Sequence, residues 1–415
     1  MSKTRCIILM LMVLLPAVAG PTWAAVSFQC PNNYVPRGNR TPFDAFNDIN
    51  GDGILRADAG EILDPVSPNQ VCMHLTGGDG FGVMADGVTQ YLFGFSNVTG
   101  VPDNQVMAEG ALAAEWPAPN IDLKEGDEFY LTLSNVGMQI RPDLFDPHTV
   151  HYHGFPQSSN IYDGLPESGI AINMGASLTY YYNNVEPGTY MYHCHVEATE
   201  HMQMGMLGNL YVRPAQDGTA HTFQGRSYSQ FAYNDGDGST GYNVVVPIQL
   251  GGFDRQFHDA SLNIQPLPFA TMWDDYPMIN GRGYPDTVNT ADLPPSPENP
   301  GKVSQKMHSL ITATVGQRIL LRISNLNVTR FHTLASTIPM QVVAKDARLL
   351  RSADGQNLYY TTNSITLGGG ESYDVILDTL GLSAGTTYFL YTTNLNLLSN
   401  DTQDYGGMMT EIRIQ

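Results

Sequence analysis

Tyr190-Met191-Tyr192-His193-Cys194-His195 is the stretch on which the fold of this chain turns, together with His148-Thr149-Val150-His151-Tyr152-His153 upstream. Glu186-Pro187-Gly188 is a turn signal, and the residues after it predict a strand. Alternate residues of a strand share a face. His193 and His195 therefore point one way and Cys194 the other, and His151 and His153 also share a side. Two such pairs on adjacent strands bring four imidazoles together. His201 and Met206 follow Cys194, and His148 precedes the His151/His153 pair. Two imidazoles, one thiolate and a weak axial thioether make the trigonal donor set of a blue-copper centre. Six of the 11 histidines lie between positions 148 and 201, a density that scattered core histidines would not produce.

The rest of the composition agrees with strands. The chain has 415 residues, of which 42% are hydrophobic and 14% charged, with 41 Gly and 26 Pro. That is the profile of packed cores built from short strands and frequent turns, in more than one domain. A net charge of −20 opposes phosphate backbones and anionic lipid surfaces, so neither nucleic acid nor a membrane is an expected partner. Lys3 and Arg5, the apolar run Ile7 to Ala19 and the small-residue site at Thr22-Trp23-Ala24 read as a secretory signal over residues 1–24. The expected location is periplasmic or extracellular. In an oxidising compartment Cys30 and Cys72 are expected to pair, which leaves Cys194 as the unpaired thiol.

These motifs resemble those of the multicopper oxidases and the copper nitrite reductases, both built from cupredoxin folds. His148-xx-His151-x-His153 is similar to the family's HxxHxH motif, and His193-Cys194-His195 to its HCH motif. The resemblance implies a type 1 copper held by His148, Cys194, His201 and Met206. It implies type 2 or type 3 copper on His151, His153, His193 and His195. Five residues separate His195 from His201 where the family usually has three, and Met202 and Met204 are near enough to rival Met206. Asp163, in Tyr162-Asp163-Gly164, resembles an acid that orients water beside the type 2 copper, and is expected to act catalytically in proton relay.

The chain repeats its own plan. Ser134-Asn135 recurs as Ser324-Asn325, His148-Thr149-Val150 as His332-Thr333-Leu334, and Gly205-Met206 as Gly407-Met408. Ala335 and Thr337 stand at the His151 and His153 positions, and Tyr391, Thr392 and Thr393 at the His193, Cys194 and His195 positions. The expected fold is all-β, with two cupredoxin-like Greek-key domains. A copper-binding domain over 76–215 and a copper-free domain over 216–415 follow an N-terminal segment, 25–75. Within that segment Asp48, Asn50 and Asp52 form the first half of an EF-hand-like loop, so calcium is a second expected cofactor.

A trinuclear cluster in this family takes eight histidines from four motifs, and this chain offers four from two. The expected function is exported copper-dependent oxidation of an external donor, with oxygen or a small oxyanion reduced at the histidine site. Two alternatives stand beside it. One is a non-catalytic blue-copper electron carrier or copper-binding structural protein. The other is a nitrite-reductase-like enzyme with a mononuclear type 2 copper, against which His151 stands where those enzymes carry an aspartate. Sharing a site between subunits implies a homo-oligomer, a trimer before others.

Overall fold

The computed structural model describes residues 26–30, 54–56, 69–156, 159–183, 185–299 and 301–415. Residues 1–24, expected to be a signal, and the loop of Asp48, Asn50 and Asp52 lie outside the described residues. The architecture is all-β, as expected, and is laid down twice.

In the first half, Gln70–Val83 carries Leu55–Arg56 and Thr89–Asn97 on one edge. Glu128–Gly137 lies parallel on its other edge, followed antiparallel by Ser177–Tyr182. The facing sheet runs Ala118–Lys124, Leu207–Arg213, Gly188–His193, His151–Tyr152; its first pair is parallel and the others antiparallel. Leu131, Tyr180, Tyr192, Leu210 and Cys194 meet between the sheets in one apolar cluster. Each fully buried large apolar side chain there stabilises the fold by about 1.5–3 kcal/mol. The first sheet begins at Gln70, ahead of the expected boundary at 76, and a Cys30–Cys72 disulfide ties the N-terminal segment to that strand.

The second half repeats both sheets. Tyr276–Ile279, Val244–Phe253, Arg318–Asn325 and Glu371–Asp378 pair as the first sheet does. Ile311–Ala313, Met409–Ile414, Thr387–Thr392 and His332–Lys345 pair as the second does. The halves differ most at one strand. His151–Tyr152 has two residues where His332–Lys345 has 14. The long strand pairs with both layers and fuses them into a ten-stranded sheet, with register shifts at Ala335/Met340 and Val342/Ala344. Such bulges bend a strand so that it can pass from one sheet to the other.

The halves are clasped by buried polar groups. Arg322 donates to the Thr189 hydroxyl at 3.1 Å, Thr189 donates to Asp374 at 2.5 Å, and Ser324 donates to Asn209 at 2.7 Å. Removing one partner of such a buried charged set costs about 3–5 kcal/mol, because the other is left uncompensated. No helix among the described residues is long and apolar enough to cross a membrane.

Candidate metal centres

His148, Cys194 and His201 come together from three elements. The His148 backbone is locked to Ile172 by reciprocal hydrogen bonds of 3.0 and 2.9 Å. Asn135 braces both sides of this bridge, donating to the carbonyls of Asp146 and Ile172 at 2.8 Å. Cys194 follows directly on the strand Gly188–His193, and its N–H donates to the Met206 carbonyl at 3.1 Å. His201 lies on the short helix Ala198–Met204, which fills the longer loop noted in the sequence. Met206 N–H closes that loop on the His201 carbonyl at 2.8 Å.

The Cys194 Sγ lies 3.2 Å from His201 Nδ1 and 3.9 Å from His148 Nδ1. One ligand atom from each of the three residues lies within 4.8 Å of the others, and all three residues are 0% exposed. Met206 is on the same side: a Cβ on Gly77 would lie 2.8 Å from His148 Cδ2 and 3.4 Å from Met206 Cε. Only glycine leaves room for both. Met204 packs in the first apolar core, and Met202 lines a cleft on the other side of the histidine motif.

The electrostatics favour the metal-binding form of the thiol. Burial alone would raise the Cys194 pKa, but the charge of His201 and hydrogen bonds from His148 and His201 hold it well below its ordinary value. Burial alone would lower His201, but the Cys194 charge and Asp146 raise it to about 10. The thiolate is the form that ligates metal, and Thr149 N–H donates to it at 3.5 Å. The buried Nε2 of His148 has no hydrogen-bond partner among the described residues.

The second cluster grows from one ladder pair, His151 opposite His193. His153 N–H donates to the Met191 carbonyl at 3.0 Å, which keeps His153 in register. His153 Nε2 and His193 Nε2 face each other at 3.0 Å, and ligand atoms of His151, His153 and His193 lie within 4.8 Å of one another. The His195 ring is 5.0 Å from that of His151 and 5.5 Å from that of His193. Burial, with neighbouring imidazoles, lowers His153 to about 4 and His193 well below its ordinary value. Both are therefore neutral near pH 7, as ligation requires.

Their orientation is fixed from behind. His193 Nδ1–H donates to the Cys194 carbonyl at 2.8 Å. His151 Nδ1 lies 2.6 Å from the Asp163 carbonyl oxygen and 3.2 Å from the Asp163 carboxylate. That leaves Nε2 of each ring as the available donor. Asp163, expected to orient water, touches a histidine of the cluster, where a carboxylate orients the ring.

Sequence reasoning missed Asp146, whose carboxylate lies 3.7 Å from His201 Nε2; its position two residues before His148 was the available signal. It also missed Gly370, where a Cβ would lie 2.9 Å from His153 Nδ1. Gly370 brings the second half against the cluster, a contact that no local pattern announces.

The donor sets suit copper. A thiolate, two imidazoles and a nearby thioether match the blue-copper arrangement, and clustered imidazoles suit a second copper. The comparisons agree. A multicopper oxidase family model matches residues 97–217. The chain is 24% identical to Laccase-2 of Cryptococcus neoformans var. grubii over 317 residues, covering 73% of this chain and 46% of that one. It is 26% identical to Laccase-5 of Arabidopsis thaliana over 267 residues, covering 63% and 38%. The chain thus spans less than half the length of these relatives. Among solved structures, the blue copper oxidase of Nitrosomonas europaea superposes with a TM-score of 0.60 at 21% identity, over 83% of this chain and 86% of that one. The copper nitrite reductase of the same organism gives 0.54 at 15%, over 83% and 94%. Residues 97–217, the segment that holds both clusters, thus match a multicopper oxidase domain.

Proposed function

We propose that the protein is an exported copper-dependent oxidoreductase. It takes single electrons from an external donor at the Cys194 centre and passes them to the histidine cluster, where oxygen or a small oxyanion is reduced. The observation that carries this reading is the adjacency of the two centres in the chain: Cys194 belongs to one ligand group and His193 to the other. Copper at these positions supplies the one-electron chemistry.

The chain's own residues do the rest. His148 and His201 hold the sulfur from two sides, and the enclosure of all three ligands keeps water from the thiolate. The peptide bond between His193 and Cys194 joins the centres covalently, and the 2.8 Å hydrogen bond from His193 Nδ1–H to the Cys194 carbonyl gives a second, shorter path. Asp163 holds the His151 proton on Nδ1 and keeps the ring turned toward its neighbours. The second half offers the loop 326–331, with Gly369 and Gly370, at the cluster, and no histidine among them stands in for the missing motifs. That favours a site of fewer coppers than a trinuclear cluster.

Copper counting with electron paramagnetic resonance tests the reading. The expected result is a blue-copper signal together with a second copper signal, and oxygen uptake with an artificial donor. One copper per chain with neither oxygen nor nitrite turnover would leave the electron-carrier alternative standing.

A further inference from the structure

The second half closes over the histidine cluster without sealing it. His153, His193 and His195 face the loops 326–331 and 369–370 across a solvent-open cleft of about 420 Å3. A water molecule occupies about 30 Å3 of liquid, so this space is far larger than a diatomic gas or a triatomic anion needs. It falls within the range of about 300–1,000 Å3 typical of sites for organic ligands.

Its walls are specific. Met202, Leu326, Val328 and Phe331 supply apolar surface. Phe331 is 76% exposed, yet a Cβ on Gly368 would lie 2.7 Å from its ring. The ring therefore lies against a glycine backbone at the mouth. Arg330 is the one cationic side chain lining the cleft. Its guanidinium carbon sits 3.7 Å above the Trp273 ring centroid, and its side chain is 16% exposed. Asp274, itself held by Asn327 at 2.7 Å, lies 3.8 Å from Arg330 Nε. Among the described residues the guanidinium makes no hydrogen bond. It is a clamped, partly desolvated fork of donors, the arrangement that recognises a carboxylate in two-point fashion.

We propose that this cleft binds a small aromatic carboxylate, with the carboxylate on Arg330 and the ring against Phe331 and the apolar wall. An aromatic ring is the group that gains most from such a wall, and the bound molecule meets His153, His193 and His195 directly. The inference deepens the oxidoreductase reading, since it names an organic ligand for the histidine centre, but the binding itself needs no metal.

Calorimetric titration of 4-hydroxybenzoate into the full chain, metal-free and copper-loaded, tests it. Saturable binding to both forms is expected, weakened at least tenfold by Arg330→Gln and several-fold by Phe331→Ala. In the copper-loaded protein the ligand should change the paramagnetic signal of the histidine-bound copper and leave the visible band of the Cys194 centre unchanged. Absence of saturable binding at millimolar ligand overturns the proposal, as does equal affinity in Arg330→Gln. Should that variant fail to fold, equal affinity in Arg330→Lys does the same. Missing copper signals alongside normal titration of the metal-free protein would instead count against the oxidoreductase reading.

Discussion

The two halves of this chain hold the same backbone around different chemistry. Cys194 N–H donates to the Met206 carbonyl at 3.1 Å, and Thr392 N–H donates to the Met408 carbonyl at 3.1 Å. Met206 N–H closes on the His201 carbonyl at 2.8 Å, and Met408 N–H closes on the Leu397 carbonyl at 2.9 Å. Asn135 and Asn325 brace the two loops in the same manner, each donating to a carbonyl across the sheet and accepting the N–H two residues on. Against His148, Cys194, His201 and Met206, the second half therefore presents His332, Thr392, Leu397 and Met408. The frame of the copper loop is a property of the sheet and stands without thiolate or metal. The ligands are placed on it.

The largest effect comes from removing that ligand. Cys194→Ser should abolish the intense visible absorption and one copper equivalent per chain, while circular dichroism stays unchanged, because Thr392 shows that a hydroxyl side chain is compatible with the frame. Retained colour would break the assignment. The converse experiment sharpens the comparison: Thr392→Cys with Leu397→His should gain one copper equivalent and a second visible band, measured by metal analysis and absorption. Failure would mean that packing around His332 and Met408, and not ligand identity, separates the halves.

A smaller loss is expected behind the histidine cluster. Ala335 stands in the place of His151 and has no ring to orient, whereas His151 is held by Asp163. Asp163→Ala should weaken copper at the histidine cluster by about 10–100-fold, read by competition with a chelator, and leave the Cys194 band intact.

The smallest effect concerns His332. It is 1% exposed, and neither ring nitrogen has a partner among the described residues. Burial, then Arg330, lowers its pKa from 6.5 to about 4. The native state thus resists a proton that the unfolded state accepts. Stability from this group is complete above pH 6.5 and is lost as pH falls toward 4. His332→Leu should raise stability by about 1 kcal/mol at neutral pH, and by more at acid pH, flattening the profile between those limits in urea titrations. The matching change at His148 would cost a copper.

Much of this was legible in the sequence because the ligands are local. The HxxHxH and HCH motifs lie within short windows, the Cys30–Cys72 pair follows from an oxidising compartment, and the repeat that puts Ala335 and Thr392 at ligand positions shows when the chain is set against itself; strand periodicity puts His151 and His153 on one side and His193 and His195 on another. What could not be read depends on approach between distant segments. Gly370 reaching His153, Arg330 lining the cleft, Gly77 leaving room for His148 and Asp163 turning back onto His151 are contacts of tertiary packing, which spacing does not encode. The length of His332–Lys345 was hidden for a related reason: alternation identifies a strand, but not whether one strand serves two sheets.

The brevity of the strand His151–Tyr152 bears on how metal comes and goes. Its ladder partners among the described residues are His193 and Tyr192, with His153 N–H on the Met191 carbonyl beside them, so parting it is expected to cost far less than unfolding the domain. The Cys194 centre behind it is sealed, with all three ligands at 0% exposure. Metal exchange is then expected to follow the opening of one short strand rather than the stability of the chain. The continuous strand in the other half has closed the same door.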